Sequence, residues 1–221
     1  MDMASSAAPI WTQIFLFGTV AAAICQGSAR KFSTSVMLLA VQSLAMTGAV
    51  LVLASAGGQH HLVMSAIISG VLKGVFVPFL LTHMLHAAGA SGDNRSVLGP
   101  GQALVITTGL TLLAYYIAPG LLPGANYWQN IALPAALALL LIGGYLLITR
   151  RSALSQVVGL LVIENGISLA ALATAWGMPL PVELGVLGAC LAGAYVMALL
   201  VREMHGDLHT TDTTLLSGLK G

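Results

Sequence analysis

Seven apolar stretches, each close to the roughly 20 residues a helix needs to cross a bilayer, constrain this 221-residue chain more than any other feature. They run over residues 9–26, 33–56, 62–86, 102–117, 127–149, 153–176 and 182–204. Inside hydrocarbon every backbone N–H and C=O must be satisfied within the structure, and a stretch of this length does so as a helix. The gaps carry turn chemistry: Ser28-Ala29-Arg30-Lys31, Gly57-Gly58, the glycine-rich 89–101, 119–124 with two prolines, and Gly177-Met178-Pro179. The fourth stretch is the shortest and is rich in Thr. The expected fold is therefore all-α, a polytopic integral membrane protein of seven transmembrane helices. Its N-terminus, Met1-Asp2-Met3, lacks the basic region of a cleaved signal peptide, so the first stretch reads as a retained helix.

Composition agrees. Only 7% of residues are charged and 57% are hydrophobic, whereas a soluble domain carries about 25% charged residues. With a net charge of +1 and no basic patch, nucleic-acid binding and soluble disorder are excluded. Cys25 and Cys190 both fall in apolar stretches and read as small core residues, not as a disulfide.

Lys and Arg set the orientation. Apart from Lys73, the basic residues are Arg30, Lys31, Arg95, Arg150, Arg151, Arg202 and Lys220. With seven spans all of them follow spans one, three, five and seven, on one side of the membrane. The positive-inside rule makes that side cytoplasmic, with the N-terminus outside and the C-terminus inside.

Lys73 and Glu164 stand apart, each about eleven residues into an apolar span. At 1.5 Å per residue both lie roughly 16 Å deep, near the midplane of a ~30 Å core. A charged side chain there costs on the order of 2.5–3.5 kcal/mol on insertion scales, so its default reading is functional. Removal from water favours the neutral form of a carboxyl or an amine, which suits reversible proton exchange. Glu164, Asn165 and Ser168 fall on or beside one helical face. Against a relay stands a neutral Glu acting as packing glue, and for Lys73 a static ion pair, with Glu164 a candidate partner. Gly70 and Gly74 flank Lys73 and leave room for water or a close helix, and Pro78 is expected to kink the span just beyond.

Other polar positions are weaker. Gln42 and Ser43 are buried polar groups of span two. His83 and His86 share a face near the cytoplasmic end of span three, where a headgroup-level or proton-relay role outweighs a metal site. Glu183 opens span seven, as a partner of the helix dipole or an outer proton mouth. His60 and His61 carry no assigned role. Gly185, Ala189 and Gly193 repeat small residues at four-residue spacing, the pattern of close helix approach. Asn130 and Pro134 point to a bend early in span five. Arg30-Lys31 before Gln42-Ser43 and Arg150-Arg151 before Glu164-Asn165 form a faint internal repeat.

Glu164-Asn165-Gly166, Val182-Glu183-Leu184-Gly185, the terminal Leu219-Lys220-Gly221, Gln42-Ser43-Leu44 and the stretch from Lys73 to Pro78 resemble the hydrogenase-4 component E family over nearly the whole chain. The last three spans are similar to the K-type subunit of respiratory complex I and the C-type subunit of multisubunit sodium/proton antiporters. On this basis the chain divides into a four-helix membrane portion (1–126), a K-subunit-like three-helix portion (127–205) and a cytoplasmic tail (206–221).

The resemblance implies a multi-pass subunit of the bacterial inner membrane. It would sit beside antiporter-like subunits, an H-type membrane subunit and peripheral [NiFe]-hydrogenase and iron–sulfur subunits. K-type subunits carry a membrane Glu followed by Asn on the middle of the three helices; Glu164 lies about one turn later relative to Gly159-Leu160. The second Glu of that family, in the last helix, has no counterpart among Ala189, Cys190 and Ala192. Lys73 or a neighbouring subunit would have to supply that site.

The leading expectation is thus a non-redox subunit that contributes to proton or sodium translocation and links its neighbours. It would have no active site, metal or cofactor of its own, since the chain carries no cysteine cluster and no nucleotide loop. A stand-alone transporter or a subunit of a cation/proton antiporter is the alternative, although spans two, six and seven lack proline breaks. A retinal protein is disfavoured because span seven has no Lys. Two residues cannot bridge a ~30 Å core at about 3 Å per proton step, so Glu164 or Lys73 is expected near a subunit boundary or on a polar axis that continues into the next chain.

Overall fold

The computed structural model describes residues 3–56, 60–87, 94, 96–175 and, further on, 182, 184–189, 191–193, 195, 196 and 199. Helix α1 spans Met3–Ser28, α2 Phe32–Ala56, α3 His60–Val71, α4 Val77–Ala87, α5 Pro100–Leu121, α6 Tyr127–Thr149 and α7 Ala153–Ala175. A π-helical turn, Leu72–Phe76, joins α3 to α4, so these three elements form one span, Leu62–His86. Among the described residues, six helices are long and apolar enough to cross a membrane, and a shorter apolar helix, Leu184–Gly193, follows. The chain is an α-helical protein with the makeup of a multi-pass membrane protein.

Helix boundaries follow local chemistry. At α6, Asn126 Oδ1 accepts from the Gln129 amide at 2.9 Å and Gln129 Oε1 accepts from the Asn126 amide at 2.9 Å. These are the reciprocal bonds of a capping box. Just before it, Gly124 takes φ of +81°, a conformation glycine adopts without penalty, and lets the chain reverse after α5. Helix α6 continues through Pro134.

The core centres on α6, where Ala132, Ala135, Ala136, Ala138, Leu139 and Ile142 are wholly buried. Packing against α7 is tight because glycines on both helices let the backbones approach. A Cβ built on Gly159 would lie 2.8 Å from the Leu147 nitrogen, and one on Gly143 2.9 Å from the Gly159 oxygen. Among the described residues, nothing lies within 4 Å of a Cβ position on Gly185 or Gly193, two glycines of the expected close-approach face of span seven. Helix α1 packs on α2, α5 and α6, and α2 on α7, so residues 1–126 and 127–175 share one core.

Two further expectations shift. Cys25 is exposed, not in the core, because it continues the outward face of α1 marked by Ile14 and Phe17. The distortion of the third span lies before Pro78, not beyond it. Proline has no N–H and its ring crowds the carbonyl four residues earlier, here Gly74. The helix accommodates this by widening, and the Val77 N–H donates to the Leu72 oxygen five residues back.

Candidate functional site

The π turn carries Lys73 into the protein. Gly70 and Gly74 admit α2 at this level: a Cβ on either would fall 2.6 Å from Thr47 Oγ1 or Leu44 Cδ2. Lys73 Nζ meets Glu164 Oε1 of α7 at 2.8 Å and donates to Ser168 Oγ at 3.0 Å. Ser168 Oγ in turn donates to Glu164 Oε1 at 3.1 Å. Lys73 and Glu164 are 5% and 2% exposed, so the two charges share one desolvated site and one depth. Glu164 is thus the ion-pair partner of Lys73 that the sequence offered as a candidate. The contact also leaves a carboxylate, an ammonium and a hydroxyl in mutual hydrogen-bond reach.

One residue along α7, Asn165 Nδ2 donates to Ser43 Oγ of α2 at 3.1 Å. A cavity of about 10 Å³ lies between the two polar sets, lined by Ser43, Lys73, Glu164 and Asn165 and walled by Leu39, Val77, Leu161 and Leu187. That volume suits about one water molecule. Gln42 is wholly buried beside Ser43, and among the described residues neither its Oε1 nor its Nε2 has a hydrogen-bond partner. An orphaned buried amide is rare and points to water or to a second conformation. The two halves of the faint repeat therefore meet, through Ser43 and Asn165.

The other expected positions do not join this cluster. His83 is exposed, stacks on Phe79 and lies ten residues beyond Lys73, about 15 Å along a helix. His86 is also exposed, its Nδ1 2.7 Å from the Thr82 oxygen. Glu183, Cys190, Arg95 and the 206–221 tail lie outside the described residues. Lys73 and Glu164 are both buried. The chain's own helices cover both, and Leu187 of the last apolar helix closes the site.

A third buried charge was not anticipated beyond its part in orientation. Arg150, 4% exposed, sits between α6 and α7. Its Nη1 donates to the oxygens of Asn94 (2.7 Å) and Ala29 (3.0 Å), and its Nη2 to those of Gln26 (2.6 Å) and Gly27 (3.1 Å). The guanidinium thus closes the C-terminal end of α1, where a cation complements the helix dipole. Burial pushes Arg150 below its ordinary value, while Tyr145 pulls the other way. Asn94 Nδ2 extends the network to Ala29 O and Ser35 Oγ. The visible signal was an Arg-Arg pair in a three-residue turn, too tight for both side chains to reach solvent freely.

The chain is 32% identical over 197 residues to the uncharacterized protein Rv0085 of Mycobacterium tuberculosis, covering 86% of this chain and 88% of that protein. It belongs to that protein's family. No family model matches the chain, and no solved structure matches it.

Proposed function

We propose that this protein is a non-redox membrane subunit of a hydrogenase-4 or complex I-like assembly, in which Lys73 and Glu164 form the buried charge element of a proton or sodium pathway. The observation that carries the reading is the Lys73–Glu164–Ser168 triad on a π turn, beside a water-sized cavity. π turns interrupt helices mostly at functional sites, because they re-aim a side chain at a cost in regular bonding. Buried titratable groups inside a membrane bundle mark ion paths by default. Gln42, Asn165 and Ser43 supply the adjoining polar steps, and neighbouring subunits the remainder.

In this reading the helix that includes Leu184–Gly193 is a seventh span. The N-terminus then lies outside and the C-terminus in the cytoplasm of a bacterial inner membrane. A reporter fused after Gly221 should be active only in its cytoplasmic form; a reporter active outside would discard the seven-span topology.

Assembly and ion movement are tested in sequence. Mild-detergent purification of the tagged chain should recover antiporter-like membrane subunits and [NiFe] and iron–sulfur subunits, identified by mass spectrometry. Recovery of the chain alone would remove the assembly from the reading. In the assembled complex, Glu164→Gln keeps shape and hydrogen bonding but not titration. It should lower ion movement per electron transferred by about tenfold or more. Wild-type coupling in that variant would leave the triad a packing element.

A further inference from the structure

Buried polar atoms without partners are spread unevenly along the bundle. They gather toward the end that carries Arg30, Arg150 and Arg151, the basic end of the molecule. Among the described residues, Gln26 Oε1, Tyr145 Oη, Ser155 Oγ and both amide atoms of Gln42 are buried with no hydrogen-bond partner. Gln26 lies two residues before the end of α1, Ser155 two after the start of α7, and Tyr145 five before Arg150, so these three sit at the basic end. Gln42 adjoins Ser43, at the level of the Lys73–Glu164 site. Beyond that level, toward the opposite end, polar side chains are satisfied. Thr19 Oγ1 donates to Phe15 O at 2.9 Å, and Trp128 Nε1 donates to Leu172 O at 3.4 Å. No buried side-chain atom there, among the described residues, lacks a partner.

An unmet buried donor or acceptor is rare in a native protein, and internal water is the usual partner of such groups. We propose that a file of water enters from the basic end and runs along α2 to the Lys73–Glu164 site, giving that site proton contact with one side of the membrane only. The route follows one helix face. Gln26 Nε2 donates to Ser35 O at 2.9 Å, which fixes the entrance where α1 meets α2. Gln42 comes seven residues after Ser35, two turns on and on the same face, about 10 Å deeper. At about 3 Å per hydrogen-bonded step, roughly three waters span that interval. Gln42 then offers a donor and an acceptor beside Ser43, which lines the cavity of about 10 Å³ shared with Lys73, Glu164 and Asn165. Gly27 and Arg150 border a further cavity at the entrance, from which water is drawn.

Leu39 is the narrow point of the route. It is buried, lies four residues from Ser35 and four from Ser43, and walls the small cavity. The consequence for transport rests on the proton-path reading above: protons reach Lys73 and Glu164 from the basic end and leave toward neighbouring subunits. The hydration itself does not depend on that reading.

The test reads solvent access, not ion movement. Ser155→Cys, Ser43→Cys and Ala49→Cys are made singly in the full-length chain carrying Cys25→Ser/Cys190→Ser, in sealed membrane vesicles of both orientations. Arg30→Cys, reacted with an impermeant maleimide, marks which side holds the basic end. Silver ion, small enough for a water path, is added to one side, and the thiols it protects from later alkylation are counted by mass spectrometry. Thiols at positions 155 and 43 should react at least about tenfold faster from the basic side, because an ion crossing a dry half meets the cost of entering hydrocarbon. The thiol at position 49, about 9 Å beyond Ser43, should stay unreacted from both sides. Leu39→Ala should speed reaction at position 43 from the basic side alone, a gain that misfolding would not confine to one side. Gln42→Leu should slow it. Equal rates from the two sides, faster reaction at position 43 from the opposite side, no reaction there even with Leu39→Ala, or a rate unchanged by Gln42→Leu would overturn the proposal. Wild-type coupling in Glu164→Gln with these one-sided rates intact would remove the proton path and leave the water file standing.

Discussion

Glu164→Ala alone is expected to destabilise the protein by about 3–5 kcal/mol, the range for removing one partner of a buried ion pair. Lys73 would then sit in a site walled by Leu39, Val77, Leu161 and Leu187, with Ser168 still bonded to it but no carboxylate. Lys73→Met should cost a comparable amount, because it leaves the Glu164 carboxyl in the same desolvated site without its cation. The double variant Lys73→Met/Glu164→Ala should recover part of the loss, since an apolar replacement of a buried pair is often neutral in stability. Thermal unfolding of the purified variants in one detergent measures all four corners of the cycle. Additive losses in the double variant would show that the two residues do not act as a pair. The same double variant should still lack coupled ion movement, which separates holding the fold together from conducting.

How much of this was legible follows from what each signal depends on. Spans are local properties: residues 62–86, 127–149 and 153–176 agree with Leu62–His86, Tyr127–Thr149 and Ala153–Ala175, because twenty apolar residues between turn residues have few other fates in a bilayer. Helix α5 extends past the expected 102–117 at both ends, because Pro100 suits a helix start and Pro119 did not stop the last turn. The equal depth of Lys73 and Glu164 was also readable, since counting residues along a helix measures depth. That they touch was not, because the contact depends on the rotation of two helices 91 positions apart in sequence. The π turn adds a residue to the span and changes that rotation, and only Pro78 hinted at it. Arg150 escaped for the same reason: its ligands are carbonyls of Gln26, Gly27, Ala29 and Asn94, which have no signature in side-chain chemistry.

Arg150 carries the second large effect. Arg150→Gln should cost about 3 kcal/mol or more, because buried carbonyls left without a donor forfeit about 1–3 kcal/mol each. Four carbonyl oxygens converge on this one guanidinium, three of them at the end of α1 and the following turn. Water can reach some of them through the adjoining cavity, so the loss falls short of four full penalties. Arg150→Lys should recover only part of it, since a compact ammonium with three donors cannot span four acceptors. The loss should be local before it is global. Asn94 donates to Ala29 O and to Ser35 Oγ, so the α1–α2 turn and the segment before α5 are held by the same network. Hydrogen exchange of Arg150→Gln should rise first at the amides of Asn94, Val97 and Ser35, whose acceptors are Arg30 O, Thr149 O and Lys31 O, while the α6–α7 glycine contact stays protected. Uniform exchange across α6 and α7 at wild-type stability would show that the guanidinium does not hold this end together.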